Sequence, residues 1–388
     1  MMTTVDDTLF QLVRVSLFDN QEVTLYEWKS VFAEMKAQSI AALPCVWLRK
    51  NVIPGTSVWL SYCTIQQANW IKLMYGQSQL LSLLESNSIS CVIIKGSSAA
   101  AYYPHPSLRA MGDVDFLVKR EDFEKTAALL EQYGYHLTHA KNPSKYHYAY
   151  TKDKIHFELH KRLGIVRESD DSLISLFERG IKDREFKDSE GFRFPVLPDE
   201  LNGLVLIFHI NQHLRTGLGL RQIIDWMMYV DSLSWEKWGD LAPLLKETGM
   251  ERLAVTVTAM CQKYLGLRSV ITDDGSLPVE ELMSYILEKG NFGHKAGPEG
   301  RTASVTLKSV ERGYLLKRLQ TGGLRRWNAA KKYPVLRPFA WLYQSFRIIR
   351  IFIENKVGPK KIMEERKKGL KQRELIASLG LKVDIMIR

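Results

Sequence analysis

The stretch of sequence that decides the fold is GDVDFLV, at residues 112–118. Side chains alternate between the two faces of a strand, so Asp113 and Asp115 share one face while the apolar residues point to a core. Aspartate is disfavoured in strands, and two carboxylates about 7 Å apart along one strand can together bind one or two divalent cations. The stretch therefore predicts a half-buried strand that carries a metal site, with a solvated strand edge as the alternative.

A second stretch with the same alternation is KIHFELH, at residues 154–160. Its apolar positions form one face, so His156, Glu158 and His160 all lie on the other. A Glu between two His could form a separate transition-metal site, but oxygen ligands from Asp113, Asp115 and Glu158 favour Mg²⁺ or Mn²⁺. The two histidines are expected to position the carboxylate, contact substrate or lie on the exposed face.

A Gly-Ser segment follows a third predicted strand. The apolar run CVII at residues 91–94 leads into KGSS at residues 95–98, where a short helix can start. Glycine allows close backbone approach, and exposed N–H groups and serine hydroxyls can hold phosphate oxygens. Gly96, Ser97 and Ser98 are therefore candidate phosphate ligands, although a plain turn is common after a strand.

The hydrophobic pattern changes along the chain and predicts four structural units. Helical periodicity dominates at first, and short apolar strands with one amphipathic helix at residues 121–133 follow. Helical patterns then return, after a connection expected near residues 186–198, and a loop is expected at residues 290–300. The predicted units are a helical unit (1–88), an α/β core (89–165), a helical domain (166–300) and a basic helical region (301–388).

The positive charge of the chain is concentrated at its C-terminal end. Residues 301–388 contain 22 Lys and Arg against 6 Asp and Glu, or +16, so the net charge of +11 leaves −5 for the rest. A basic region of this kind can meet nucleic acid, anionic lipid or a polyanionic substrate, or can be a solvated face of a terminal helix. Peripheral contact with an anionic membrane is one expectation.

The cysteines and the terminal sequence indicate a cytoplasmic protein. The four cysteines, at positions 45, 63, 91 and 261, lack the spacing of a zinc site or a disulfide framework. The first residues carry acidic side chains before a short apolar stretch, which is the wrong order for a secretory signal. The longest apolar runs fall short of the ~20 residues that a bilayer-spanning helix needs.

Three motifs together resemble the polymerase-beta-like nucleotidyltransferase superfamily. They are KGS at residues 95–97, RAMGDVDFLV at 109–118 and FELH at 157–160. Within that superfamily the chain resembles a bacterial family of uncharacterised nucleotidyltransferases, which also shares a helix seen here as GLRQIIDW at 219–226. The resemblance implies an α+β fold, with a small mixed β-sheet core and helical units on both sides of it in the chain.

The resemblance also implies an activity: transfer of a nucleoside monophosphate from an NTP to a hydroxyl of a small molecule, sugar or protein, by a two-metal mechanism. In that scheme Asp113 and Asp115 bridge the ions and the triphosphate, and Glu158 completes the ion that activates the acceptor and takes its proton.

The remaining implied roles concern the phosphates. Gly96, Ser97 and Ser98 would hold the β- and γ-phosphates. Lys95 and Arg109 would neutralise the leaving pyrophosphate, unless they form structural salt bridges. Fifteen residues separate Ser97 from Asp113, which is longer than the usual interval of the superfamily.

Two other classes of function compete with this enzyme. One is a non-catalytic module that binds a nucleotide or polyanion, although a decayed site usually loses at least one carboxylate. The other is a nucleic-acid-binding protein, for which no recognised motif is present, so no specific nucleic acid is expected. Elsewhere, Arg221 and Asp225 are expected to pair on the surface of a helix, with contact to the nucleotide as the alternative. His209 and His213 are expected to serve helix packing, with substrate contact also open.

Overall fold

The alternating apolar residues form a sheet of seven strands. The strands, in chain order, are β1 (Cys91–Ile93), β2 (Asp113–Val118), β3 (His136–Leu137), β4 (His147–Lys152), β5 (Ile155–His160), β6 (Glu185–Ser189) and β7 (Phe192–Val196). This computed structural model describes residues 3–18, 23–25, 27–138, 146–268, 275–291, 295, 314–354 and 359–382. By backbone contacts the chain divides into two units, residues 1–295 and 296–388, and the sheet belongs to the first.

The sheet is mixed, and its order is β3-β4-β5-β2-β1-β7-β6. Strands β2 and β5 lie side by side and run parallel near the middle of the sheet. Strand β1 runs antiparallel to β2 on one side and parallel to β7 on the other. The predicted mixed α and β fold class is confirmed.

Strands β6 and β7 lie where the sequence predicted only a connection. They form an antiparallel hairpin in which Phe186 pairs with Pro195. Proline cannot donate to a sheet ladder and argues against a strand, which is why the pattern was misread. Glu190 and Gly191 both have positive φ at the turn between the strands, as tight hairpin turns require. The sheet therefore extends to residue 196, beyond the predicted core.

One face of the sheet carries the apolar core. Side chains of β2 and β5 alternate into it, and the helices α4 (Ser57–Ser86) and α6 (Phe123–Gln132) contribute further residues to the same cluster. The large buried members of this cluster include Trp70, Leu80, Phe116, Leu130 and Phe157. Packing one face in this way places the polar side chains of β2 and β5 on the opposite face.

Helices make up most of the rest of the first unit. They are α1 (Thr4–Phe18), α2 (Trp28–Ala37), α3 (Cys45–Lys50), α5 (Gly96–Ala100), α7 (Asp171–Lys182), α8 (Asp199–His213), α9 (Leu220–Ser232), α10 (Trp235–Glu247), α11 (Glu251–Met260) and α12 (Val279–Lys289). The four cysteines are free and buried. The division of the chain into four parts stays a prediction, and most of the loop expected at residues 290–300 lies outside the described residues.

The second unit is helical over the residues described. Its helices are α13 (Tyr314–Arg326), α14 (Asn328–Lys332), α15 (Arg337–Glu354) and α16 (Pro359–Ser378). Helices α13 and α15 approach closely, because a Cβ added at Gly323 would lie 2.8 Å from the carbonyl oxygen of Ala340. Across the part of the chain that the structure describes, no helix is both long and apolar enough to span a bilayer.

Candidate active site

The register of β2 and β5 brings the predicted carboxylates together. In this parallel pair Asp115 lies opposite Glu158, and Asp113 lies opposite His156. The intervening side chains of both strands enter the apolar core, so the carboxylates share the opposite face. The strands expected from the sequence thus place Asp113, Asp115 and Glu158 on one surface.

Asp115 is the most tightly held of the three. Its Oδ1 accepts a hydrogen bond of 2.8 Å from Lys95 Nζ and lies 2.8 Å from His160 Nε2. Burial opposes ionisation of this carboxyl, but the charge of Lys95 and the hydrogen bond from His160 outweigh it and hold its pKa well below the ordinary value. Since an ionised carboxylate only accepts hydrogen bonds, His160 donates from Nε2.

Glu158 shares His160 with Asp115. His160 Nε2 lies 3.3 Å from Glu158 Oε2. Asp115, Glu158 and His160 each offer one atom that could bind a metal ion, and these three atoms lie within 4.8 Å of one another. Burial tends to lower the pKa of His160, but its hydrogen bonds to the two carboxylates raise it overall. His160 therefore acts as a donor that holds both acidic side chains in place.

His147, on the neighbouring strand β4, approaches Glu158 from the other side. Its Nε2 lies 3.9 Å from Glu158 Oε1. Burial lowers the pKa of His147 to about 4, although Glu158 favours its charged form. The ring is therefore neutral near pH 7. His147 could not be recognised from the sequence, because nothing in the pattern of β4 distinguishes it from an ordinary strand residue.

Asp113 is half-buried at the start of β2. Burial, followed by repulsion from Asp115 and Glu158, raises its pKa to about 6, against the opposing attraction of Lys95 and Arg221. The charged form of Asp113 is therefore disfavoured first by burial and then by an excess of nearby negative charge. A bound divalent cation would relieve that excess.

This raised pKa predicts how Asp113→Asn changes stability. The folded chain holds the Asp113 proton more tightly than the unfolded chain, where the ordinary value is 3.8, so ionisation disfavours folding as the pH rises toward about 6. Without metal, Asp113→Asn should raise the free energy of unfolding by about 1–3 kcal/mol near neutral pH, and by much less near about pH 4. Urea unfolding at the two pH values measures the difference. The exposed Asp240→Asn is the matched control; an equal gain at both pH values would contradict the prediction.

The Gly-Ser segment begins the short helix α5. The hydroxyl of Ser97 donates to Gln77 Oε1 at 2.6 Å, and the hydroxyl of Ser98 donates to Asn202 Oδ1 at 3.0 Å. Both side chains are completely buried. Their hydroxyls therefore hold this segment to α4 and α8, and any phosphate contact here would come from the backbone of Gly96 and its neighbours. The predicted phosphate role stays a prediction.

Arg109 lies in a buried ion pair. Its Nε and Nη2 donate to the two carboxylate oxygens of Asp225, at 2.8 and 2.6 Å, and the hydroxyl of Tyr103 donates to Asp225 Oδ1 at 2.7 Å. Of the two roles that the sequence left open for Arg109, this is the structural salt bridge. Arg221, which the helical spacing predicts as a partner of Asp225, donates from Nη1 to the carbonyl oxygen of Ala110 at 3.2 Å. Its pairing with Asp225 stays a prediction.

A crevice beside the carboxylates brings residues of α8 to the site. Lys95, Tyr146 and His160 line it together with His209 and Gln212. Burial and the charge of neighbouring groups lower the pKa of His209 well below its ordinary value, so this ring is neutral. The spacing of His209 and His213 was noticed in the sequence and assigned to helix packing, and the two rings do contact, with 2.9 Å between their Nε2 atoms. Nothing in the sequence indicated that the rings of His209 and His213 lie near Lys95.

Comparisons with known proteins identify the family to which the chain belongs. Two solved structures are similar. One is the antibiotic-resistance factor ANT(2'')-Ia, which is 12% identical over 46% of this chain and 93% of its own, with a TM-score of 0.33. The other is an antigenic nucleotidyltransferase-like protein from Paracoccidioides brasiliensis, which is 15% identical over 51% of this chain and 94% of its own, with a TM-score of 0.31. At these scores neither carries the argument further. The curated proteins give no match. The family whose sequence model matches is described as "Uncharacterised nucleotidyltransferase", and the match covers residues 27–266, more than half of the chain and every strand of the sheet. The chain therefore belongs to this family of uncharacterised nucleotidyltransferases.

Proposed function

We propose that this chain is a metal-dependent nucleotidyltransferase that moves a nucleoside monophosphate from an NTP to a hydroxyl of a small molecule, sugar or protein. The observation that carries the proposal is the pairing of Asp115 with Glu158 across two parallel strands, with Asp113 on the same face of β2. Three carboxylates on one face repel one another, and a bound cation would offset that repulsion.

The donor set fits Mg²⁺ or Mn²⁺. Carboxylate oxygens are the ligands that these ions prefer, and the pKa of Asp113 is raised partly because Asp115 and Glu158 repel its negative charge. Asp113, Asp115 and Glu158 would hold the metal. When bound, it would neutralise charge on the phosphoryl oxygens and lower the pKa of the acceptor hydroxyl.

The residues of the chain supply positioning and proton transfer. The acceptor oxygen would attack the α-phosphorus of the NTP while the bond to the pyrophosphate oxygen breaks, and the proton of the acceptor would pass to Glu158. His160 keeps Glu158 and Asp115 oriented through its Nε2–H. Lys95, now bonded to Asp115, supplies positive charge next to the departing pyrophosphate.

The experiment that tests the proposal combines turnover with metal binding. Each of the four NTPs, labelled at the α-phosphate, is incubated with the purified chain, Mg²⁺ or Mn²⁺, and separate small-molecule and protein fractions of a cell extract. We expect label transfer and pyrophosphate release with one NTP and one fraction, and loss of both with EDTA or with Asp113→Asn. The variant Asp240→Asn, on the exposed surface of α10, should behave as the wild type.

Metal binding gives a readout that does not depend on knowing the acceptor. Mn²⁺ should bind the wild-type chain more tightly when α,β-methylene-ATP is present, as seen by electron paramagnetic resonance, and this gain should vanish in Asp113→Asn. Nucleotide binding with no transfer to any fraction would favour the non-catalytic module. Mn²⁺ binding that is the same in the variant would remove the basis of the proposal.

A further inference from the structure

The second unit exposes many large apolar side chains next to basic ones. From the residue before α14 to the middle of α15, the exposed large apolar residues are Trp327, Tyr333, Val335, Phe339, Trp341, Leu342, Tyr343 and Phe346. We call this set, with the exposed basic residues Arg325, Lys331, Lys332 and Arg350, the aromatic-basic surface. Single exposed apolar residues are normal in a soluble protein, but a group of eight within twenty residues indicates an interaction site.

Helix α15 is held to its unit by a different face. Ala340 is completely buried and Gln344 is 6% exposed, and a Cβ added at Gly323 of α13 would meet the backbone of Ala340. Phe339, Leu342 and Phe346 are 58%, 57% and 65% exposed. The described contacts of α13 with α15 thus lie on a different face of α15 from Phe339, Leu342 and Phe346.

The charge around this surface selects an anionic partner. From residue 312 to residue 353 the sequence contains ten Lys and Arg and no Asp or Glu. A solvated helix face normally mixes both signs, because opposite charges stabilise one another along the helix. A stretch of 42 residues without one acid is instead suited to a surface that carries negative charge at high density.

The apolar residues distinguish between the two anionic surfaces that are common in cells. Nucleic acid would use the aromatic rings for stacking but offers nothing to Val335 or Leu342. A bilayer takes aliphatic side chains into its acyl boundary, places Trp and Tyr at headgroup level and attracts Lys and Arg. We propose that the aromatic-basic surface binds the headgroup region of a bilayer containing anionic lipid, with the chain lying on the membrane. The proposal does not depend on the transfer reaction.

The test is flotation of the full chain with lipid vesicles, without NTP or metal. The chain should float with phosphatidylcholine vesicles that contain about 30% phosphatidylglycerol, and not with phosphatidylcholine alone. Binding should weaken as salt is raised, since exposed charges are screened. Tryptophan fluorescence should be quenched by brominated lipid, because Trp327 and Trp341 would lie at the headgroups.

Two variants separate the apolar contribution from the charge. We expect Phe339→Ser/Leu342→Ser/Phe346→Ser and, separately, Lys331→Gln/Lys332→Gln each to lower the partition coefficient on the order of tenfold or more. The matched controls lie in the first unit: Trp235→Ser, at a residue 86% exposed, and Lys50→Gln/Lys246→Gln, at two exposed lysines. Both controls should float as the wild type does.

Several results would overturn the proposal. These are a wild-type chain that stays with the soluble fraction and is not quenched by brominated lipid, equal binding to neutral and anionic vesicles, or variants that bind as the wild type does. Binding of a single-stranded RNA oligonucleotide that the same variants lose, with no binding to vesicles, would assign the surface to nucleic acid instead.

Discussion

Replacing Asp115 with asparagine is expected to lower the rate of nucleotidyl transfer by about a thousandfold or more, the range seen when charge neutralisation is lost in phosphoryl transfer. Asparagine keeps the shape of the side chain but removes the negative charge that would hold a cation. It also leaves the Lys95 ammonium, which is 17% exposed, without the carboxylate that favours its charged form. The measurement is the initial rate of pyrophosphate release with the NTP and acceptor fraction that support transfer.

A second variant keeps this prediction independent of folding. Asp115 is buried and ion-paired, so its loss also destabilises the chain. Glu158 is less buried, and Glu158→Gln should fold as the wild type does while losing transfer to a similar extent, because the amide can neither accept a proton nor bind a cation strongly. If Glu158→Gln were folded and fully active, Glu158 would have no part in the chemistry.

Alanine in place of Arg109 is expected to lower the free energy of unfolding by about 3–5 kcal/mol, as is typical when one partner of a buried ion pair is removed. Arg109 and Asp225 are 4% and 1% exposed, and the pair is bidentate. The variant would leave the Asp225 carboxylate buried without its bidentate partner, and the hydroxyl of Tyr103 and the charge of Arg221 would compensate it in part. Urea denaturation of the wild type and of Arg109→Ala measures the loss.

The double variant and an exposed pair serve as controls. Arg109→Met/Asp225→Leu removes both charges. It should therefore lose less stability than the sum of the losses in Arg109→Ala and Asp225→Ala. Arg109→Lys should recover only part of the stability, since an ammonium cannot make the bidentate contact. Glu280→Gln breaks the exposed pair with Lys263 and should cost no more than about 1 kcal/mol. Additive losses at Arg109 and Asp225 would contradict a direct coupling.

The strands of the site could be predicted from sequence because their pattern is local. Asp113, Asp115 and Glu158 alternate with apolar residues, and that alternation alone decides which face each occupies. The order of the strands is not local. Nothing in either motif states that β2 and β5 are neighbours or that Asp115 lies opposite Glu158, and both facts came from the structure.

The partners of the polar residues were the hardest part to predict. Arg109 pairs with a residue 116 positions away, Ser98 bonds to one 104 positions away, and each contact depends on where the helices after the sheet pack. A helical spacing suggested Arg221 as a partner of Asp225, but nothing local in the sequence indicated that Arg109 would reach the same carboxylate. The roles assigned to Lys95, Gly96 and Ser97 in phosphate binding stay predictions, because the fold shows their protein contacts only.

The parallel pairing of β1 with β7 has a consequence for the order in which the protein is made. Strand β1 precedes Lys95, yet β7, the strand that pairs with one of its edges and places Val196 opposite Ile93, is made about a hundred residues later. A nascent chain that has just passed Glu158 already contains every carboxylate of the site but still has an open strand edge, the kind of edge on which chains aggregate. Stalling or truncation near residue 165 should therefore yield an insoluble product, and a shortened expression fragment needs to run past the hairpin of β6 and β7.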